Sequence, residues 1–202
     1  MELEVVILAA GRGTRMQSDL PKVLHPLAGQ PLIRHVLKTA ALLNPSTLHV
    51  VVGHGAEEVK SACADIPVNW VVQKEQLGTG HAVLQAMPQI NSASRVLVLY
   101  GDVPLISEET LRQLIDKAGN GSAVLTANID NPAGYGRVIR DESGYFERIV
   151  EDKDATPRER EVDEINTGVL VASAGHLNTY LPSVTSDNEQ GEYYLPDILS
   201  QL

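Results

Sequence analysis

The sequence predicts an α/β fold, a mixed and mainly parallel sheet flanked by helices. Three observations lead there. Short, unalternated apolar runs of strand length recur along the first half of the chain. The segments between them repeat apolar residues with helical period. After about residue 120 the texture shifts to strands joined by turns, which predicts antiparallel or mixed additions to the same sheet.

The first strands are Val5–Leu8, Leu48–Val52, Val68–Val72 and Val96–Leu99. Each is rich in Val and Leu without alternation, the pattern of a strand covered on both faces. Leu32, Ile33, Val36, Leu37, Ala40, Ala41 and Leu43 form one helical stripe, with Pro31 expected as its first helical residue. A second helix spans 79–87 and ends at Pro88. A third follows Ser107, with Glu108, Glu109 and Thr110 in its first turn and Leu111, Leu114, Ile115 and Ala118 on its apolar face. Strand alternating with helix calls for right-handed parallel crossovers. Later strands are expected at Ala123–Ile129, Gly136–Arg140, Phe146–Val150 and Ile165–Val171. The charge-dense stretch Glu151–Glu164 is expected to be a solvated loop or short helix. No Gly/Ser- or Pro-rich linker divides the chain, so residues 1–202 are expected to form a single domain.

Composition narrows the function classes. Sixteen basic and 26 acidic residues give a net charge of −10, which argues against binding a nucleic-acid backbone. Small phosphate ligands need only a few cations and backbone N–H groups, so they remain open. The single cysteine, Cys63, excludes an intrachain disulfide and reads as a buried position on a helix. Met1-Glu-Leu-Glu lacks a basic signal-peptide start, and no apolar run approaches the ~20 residues of a membrane helix. A cytoplasmic protein with no membrane partner is expected. The six histidines show no H-x-H or H-E-x-x-H spacing, which argues against zinc, and the absence of G-x-S-x-G argues against an α/β-hydrolase.

Ligands of open α/β sheets bind beyond the carboxyl ends of the strands. Three loops lie there: Ala9–Met16, Gln73–Gly80 and Tyr100–Leu105. The first is small and Gly-rich, suited to close backbone approach to an anion. It is no dinucleotide fingerprint, because Met16 stands where a third glycine belongs, and the P-loop lysine motif is missing. Arg15 near its end and Lys22 just beyond it supply cations, with Pro21 stiffening the chain before Lys22. Asp102, after a buried strand and a glycine, is suited to hold a hard divalent cation against phosphate.

These segments carry a resemblance. Val6-Ile-Leu-Ala-Ala-Gly-Arg-Gly-Thr-Arg-Met followed by Leu20-Pro-Lys22 resembles the signature of sugar-phosphate nucleotidyltransferases. Ser18-Asp-Leu-Pro-Lys-Val-Leu-His, Glu75-Gln-Leu-Gly-Thr-Gly-His-Ala, Leu99-Tyr-Gly-Asp-Val-Pro-Leu-Ile, Gly134-Tyr-Gly-Arg, Ile165-Asn-Thr-Gly and Gln190-Gly-Glu-Tyr-Tyr-Leu-Pro-Asp narrow it. Together they resemble the uridyltransferase domain of the bifunctional N-acetylglucosamine-1-phosphate uridyltransferase / glucosamine-1-phosphate acetyltransferase family.

The resemblance implies a Rossmann-like fold of the nucleotide-diphospho-sugar transferase type. It implies joining of UTP and N-acetylglucosamine 1-phosphate into UDP-N-acetylglucosamine, with release of pyrophosphate and with Mg2+ as cofactor. By matching motif, Leu8, Ala9, Ala10 and Gly11 would contact the nucleotide, and Arg15 and Lys22 its phosphates. Gln73, Gln76, Gly78 and Thr79 would surround the uracil and nearby sugar, and Tyr100, Gly101 and Asp102 would reach the sugar and metal. Gly136, Glu151 and Asn166 would line the N-acetyl-sugar pocket. In the family a second metal ligand, an asparagine, lies further along than this chain runs. So does the left-handed β-helix that carries acetyl transfer and trimerises the full-length protein. The expectation is therefore a nucleotidyltransferase domain cut short at its C-terminus.

The expected catalytic trio is Arg15, Lys22 and Asp102, with Asp102 the metal ligand. A sugar phosphate is already largely dianionic near neutral pH, its second pKa being about 6, so no general base is required. What is required is charge neutralisation and in-line positioning. Gln76 and the Gly78 backbone are expected to select uracil, because an amide can donate and accept together. A nucleotidyltransferase for another sugar 1-phosphate, a nucleotide-binding module with little turnover and a nicotinamide-dependent oxidoreductase are the rival readings.

Overall fold

A computed structural model describes residues 1–11, 13, 16 and 18–201. Among the described residues the strands are β1 (Leu3–Ala9), β2 (Pro26–Leu27), β3 (Gln30–Pro31), β4 (Thr47–Val52), β5 (Asn69–Val72), β6 (Arg95–Tyr100), β7 (Ala123–Asn128), β8 (Arg137–Arg140), β9 (Phe146–Val150) and β10 (Glu164–Ser173). The α-helices described are α1 (Leu32–Leu42), α2 (Ala56–Ala62), α3 (Thr79–Ala86), α4 (Glu108–Ala118) and α5 (Ala174–Tyr180). Among the described residues the main sheet has eight strands in the order β5-β4-β1-β6-β10-β8-β9, with β7 also paired to β10. The strands β5, β4, β1 and β6 are parallel, whereas β10 is antiparallel to β6, β7 and β8.

β1 shows why the apolar runs do not alternate. Val5, Ile7 and Ala9 pack on one face with Ile33, Val36 and Leu37 of α1 and Leu111 and Leu114 of α4. Val6, Leu8 and Ala10 pack on the other with Ala82, Val83 and Ala86 of α3 and Leu177 of α5. Both faces are covered, so Val5 to Ala9 are all apolar, and the buried Glu4 before them is held by His49 Nε2 of β4 at 2.7 Å. Cys63 is buried among the first set as expected, but it caps the C-terminal end of α2 rather than lying within the helix. β5 departs from the predicted strand: it begins at Asn69 rather than Val68, and Val72 is half exposed. It is an outermost strand of the main sheet, so it has a neighbour on one side only.

The helix ends follow local chemistry. Ser107 caps α4, its hydroxyl accepting from Thr110 N at 3.1 Å, with Glu108 and Glu109 in the first turn. Ser173 caps α5 through His176 N. Pro31 is the cap of α1 rather than its first helical residue, because it also closes the small β2–β3 hairpin. Helix α3 ends at Ala86 and continues as a 3₁₀ turn through Pro88. Residues 151–164 are mostly loop, with one 3₁₀ turn at Glu159–Glu161.

From β1 the chain goes outward to β4 and β5, then returns to add β6 on the other side of β1. That reversal opens a crevice between the carboxyl ends of β1 and β6, the position at which open α/β sheets bind ligands. Leu8 stands beside Tyr100 in register, and Gly101 N donates to Leu8 O at 2.9 Å.

Candidate active site

A cleft of about 990 Å³ opens at this switch point. Its floor is the end of β1 and the following turn, Leu8, Ala9, Ala10, Gly11 and Gly13. A Cβ built on Gly11 would meet no heavy atom of the described residues within 4 Å, so the glycine leaves room in the cleft. Gly13 differs: its φ is +60°, and a Cβ there would lie 2.8 Å from Lys22 Cβ. The chain after the loop folds back so closely that Gly55 can carry no side chain, its Cβ position lying 2.2 Å from Pro21 Cγ. That packing brings Lys22 to the cleft wall.

At the mouth, Lys22 Nζ is ion-paired with Asp102. Both side chains retain solvent contact, 39% and 20% respectively. Asp102 follows β6, and Tyr100 at the strand end lines the cleft beside it. Burial, with the charges of Glu151 and Asp102, pushes the Tyr100 phenol up, against a hydrogen bond with Thr79 that lowers it. This side chain therefore acts as a neutral hydroxyl.

The opposite wall comes from the β5–α3 connection. Gln73, Gln76, Gly78 and Thr79 line the cleft. Gln73 is nearly buried at 3% exposure, and its Nε2 donates to Gly78 O at 3.1 Å. Gln76 Nε2 donates to Gln73 O at 3.1 Å and Lys74 O at 3.4 Å. Its NH₂ is therefore spent inside the loop, and its oxygen alone is left for a ligand. The expectation that this amide both donates and accepts is corrected accordingly. Gly78 has φ +107°, and a Cβ there would lie 2.7 Å from Tyr193 O, so the turn is built on glycine by packing.

The remaining predicted residues gather behind Tyr100 rather than along the cleft walls. A Cβ on Gly136 would lie 3.0 Å from Glu151 Oε1. Asn166 N donates to Gly136 O at 2.8 Å, and Asn166 Oδ1 accepts from Gly168 N at 2.9 Å. Gly168, at φ +82°, lies against the Tyr100 ring, its Cβ position 2.5 Å from Cε2. It occupies an irregularity between Asn166 and Leu170, where the register of β10 on β7 shifts. Gly101 sits against Leu8 O and Val23, within the packing that joins β6 to β1. Burial raises the Glu151 carboxyl, helped by Asp197, Asp154, Glu192 and Asp152. Arg15 lies outside the described residues.

Sequence reasoning passed over Met16, Val23, Lys74, Glu75, Ala82 and Glu192, all of which line the cleft. It also passed over Gly168, although Ile165-Asn-Thr-Gly pointed to this segment.

The chain matches the family model of the MobA-like NTP transferase domain over residues 5–158. It is 58% identical over 196 residues to the bifunctional protein GlmU of Halorhodospira halophila, covering 97% of this chain and 41% of that protein. It is 53% identical over 199 residues to the bifunctional protein GlmU of Marinobacter nauticus, covering 98% and 44%. The chain thus spans less than half the length of these curated relatives. Among solved structures, UDP-glucose pyrophosphorylase complexed with UDP-glucose superposes with a TM-score of 0.79 at 17% identity, over 100% of this chain and 86% of that one. HddC from Yersinia pseudotuberculosis, complexed with GMP-PN, gives 0.69 at 19% identity, over 96% and 83%. The fold is that of these neighbours, and by the match over 5–158 the chain belongs to the MobA-like NTP transferase domain family.

Proposed function

We propose that this chain transfers the uridylyl group of UTP to N-acetylglucosamine 1-phosphate, giving UDP-N-acetylglucosamine and pyrophosphate, as a cytoplasmic step toward cell-envelope precursors. The observation that carries the reading is the meeting of Lys22 and Asp102 at the mouth of a cleft floored by small strand-end residues. The high identity to two bifunctional GlmU proteins favours this sugar and this base.

In the reaction an oxygen of the sugar phosphate attacks the α-phosphorus of UTP. The bond from that phosphorus to the α–β bridging oxygen breaks, and its electron pair leaves with pyrophosphate. The nucleophile arrives already deprotonated, so the protein's task is to offset repulsion between two polyanions and hold them in line. Lys22 supplies a compact cation for charge gathering on the α-phosphate and departing pyrophosphate, and Arg15 is assigned the same task. Asp102, one hard carboxylate, fits Mg2+ that draws its other ligands from phosphate oxygens and water, and when bound this ion would neutralise phosphate charge. Tyr100, Glu151, Asn166 and Gly136 are assigned to the sugar side, and Gln73, Gln76, Gly78 and Thr79 to the base. Leu8, Ala9, Ala10 and Gly11 let the nucleotide approach the backbone closely.

The test is pyrophosphate release from UTP plus N-acetylglucosamine 1-phosphate, with and without Mg2+, run beside a version of the chain extended at its C-terminus. Release that needs both substrates and the cation is expected. Release from neither version, or equal release with sugar 1-phosphates lacking the acetamido group, refutes the assignment.

A further inference from the structure

Gln73 has an amide whose orientation is fixed by its neighbours. Its Nε2 lies 3.1 Å from Gly78 O and 3.0 Å from His81 Nδ1. An amide nitrogen carries two hydrogens, so both are consumed when Nδ1 acts as acceptor. His81 must then hold its proton on Nε2. That nitrogen lies 3.2 Å from the terminal amide of Gln85, one helical turn further along α3.

The three side chains cannot be arranged freely. With Gln73 Nε2 at Nδ1 and Gln85 Nε2 at the other ring nitrogen, the imidazole would accept at both positions, which a neutral ring cannot do. One amide must turn over. Turning Gln73 would set its oxygen 3.1 Å from Gly78 O, acceptor against acceptor. Turning Gln85 sacrifices only a 3.5 Å contact with His81 O and gives Nε2–H an oxygen to bond. The Gly78 carbonyl therefore decides the whole chain of contacts.

We propose that His81 is a positioning residue: its Nδ1, with Gly78 O, locks the Gln73 carboxamide so that Oε1 is the one polar atom it offers to the cleft. Oε1 accepts no hydrogen bond from the described residues. It thus selects a base that presents an N–H at that point, as the imide of uracil does and the N3 lone pair of cytosine does not. Gly78 N has no acceptor among the described residues and would complement a ring carbonyl beside it. This inference rests on the reading of the cleft as the nucleotide site.

The experiment measures UTP and CTP binding by calorimetry, with Mg2+, for the wild-type chain and for H81F and H81N. Phe keeps a ring against Tyr193, whose centroid lies 6.3 Å from that of His81, but removes the acceptor. Asn can return an acceptor oxygen near the Nδ1 position. A mispaired buried polar group predicts a UTP preference of roughly 10- to 100-fold in the wild type. That preference should collapse in H81F and recover in H81N. An undiminished preference in H81F overturns the positioning role alone. Equal binding of both nucleotides by the wild type overturns the site reading as well. ¹⁵N NMR of the wild-type His81 ring tests the assignment without a variant: a proton on Nε2 supports it, and one on Nδ1 overturns it.

Discussion

Lys22 and Asp102 form an ion pair that ties the loop after β1 to the end of β6. Both are partly open to solvent, so the pair adds little to stability, on the order of 0–1 kcal/mol. On the proposed reaction, its value would lie in placing one cation and one carboxylate where two phosphate groups meet. Lys22→Ala should lower kcat by about 10²-fold or more, the scale of losing one preorganised electrostatic contact. Asp102→Asn should do the same and weaken the dependence on Mg2+. Steady-state pyrophosphate release checks both, and near-normal turnover in either variant removes that residue from the chemistry.

Gly11 separates fold from ligand. No heavy atom of the described residues stands within 4 Å of a Cβ there, and its φ is not positive. Gly11→Ala should melt within a few degrees of wild type while binding UTP at least ~10-fold more weakly, because the methyl fills ligand space. Calorimetry beside thermal denaturation measures the two effects, and unchanged UTP affinity contradicts this view of the floor.

Gly168 should be sensitive in both respects. A methyl at φ +82° is strained, and it would press on the Tyr100 ring from 2.5 Å. Gly168→Ala should cost on the order of 1–3 kcal/mol in denaturant titration and raise KM for the sugar phosphate more than KM for UTP. Wild-type stability in that variant would show that ring and bulge are not tightly packed.

Asp197 gives a pH signature. Burial, reinforced by Asp154, lifts its carboxyl to about 6. A folded-state value above the unfolded one means the associated stability is full below the ordinary Asp value near 4 and is lost as pH rises through about 6. Glu151, raised chiefly by burial, acts in the same direction. Asp197→Asn should therefore flatten the decline between these values and leave the variant more stable at neutral pH by on the order of 1–2 kcal/mol after solvent screening. Melting temperatures across that range decide it, and parallel profiles for the two proteins reject the assignment.

The central strands of the parallel half were legible because they are covered on both faces, as Val5 to Ala9 are, whereas the edge strand β5 is not. Lys22 and Asp102 were legible because strand ends converge at a switch point. The partners of the site side chains were not. Gln76 looked like a donor and acceptor, but the loop carbonyls of Gln73 and Lys74 take its hydrogens. The Tyr100–Gly168 contact depends on β10 lying beside β6 in antiparallel register, a pairing no local pattern encodes. His81 reaches Gln73 across the turn between β5 and α3, so neither helical nor strand periodicity announces the contact.

β10 pairs with β6 along Leu170–Ser173, with β8 at Ile165, and with β7 on both sides of its irregularity. It is the seam that joins the parallel half of the sheet to its antiparallel additions. In hydrogen–deuterium exchange the amides of Leu170 to Ala172 should be among the last to label, opening only when the whole sheet comes apart.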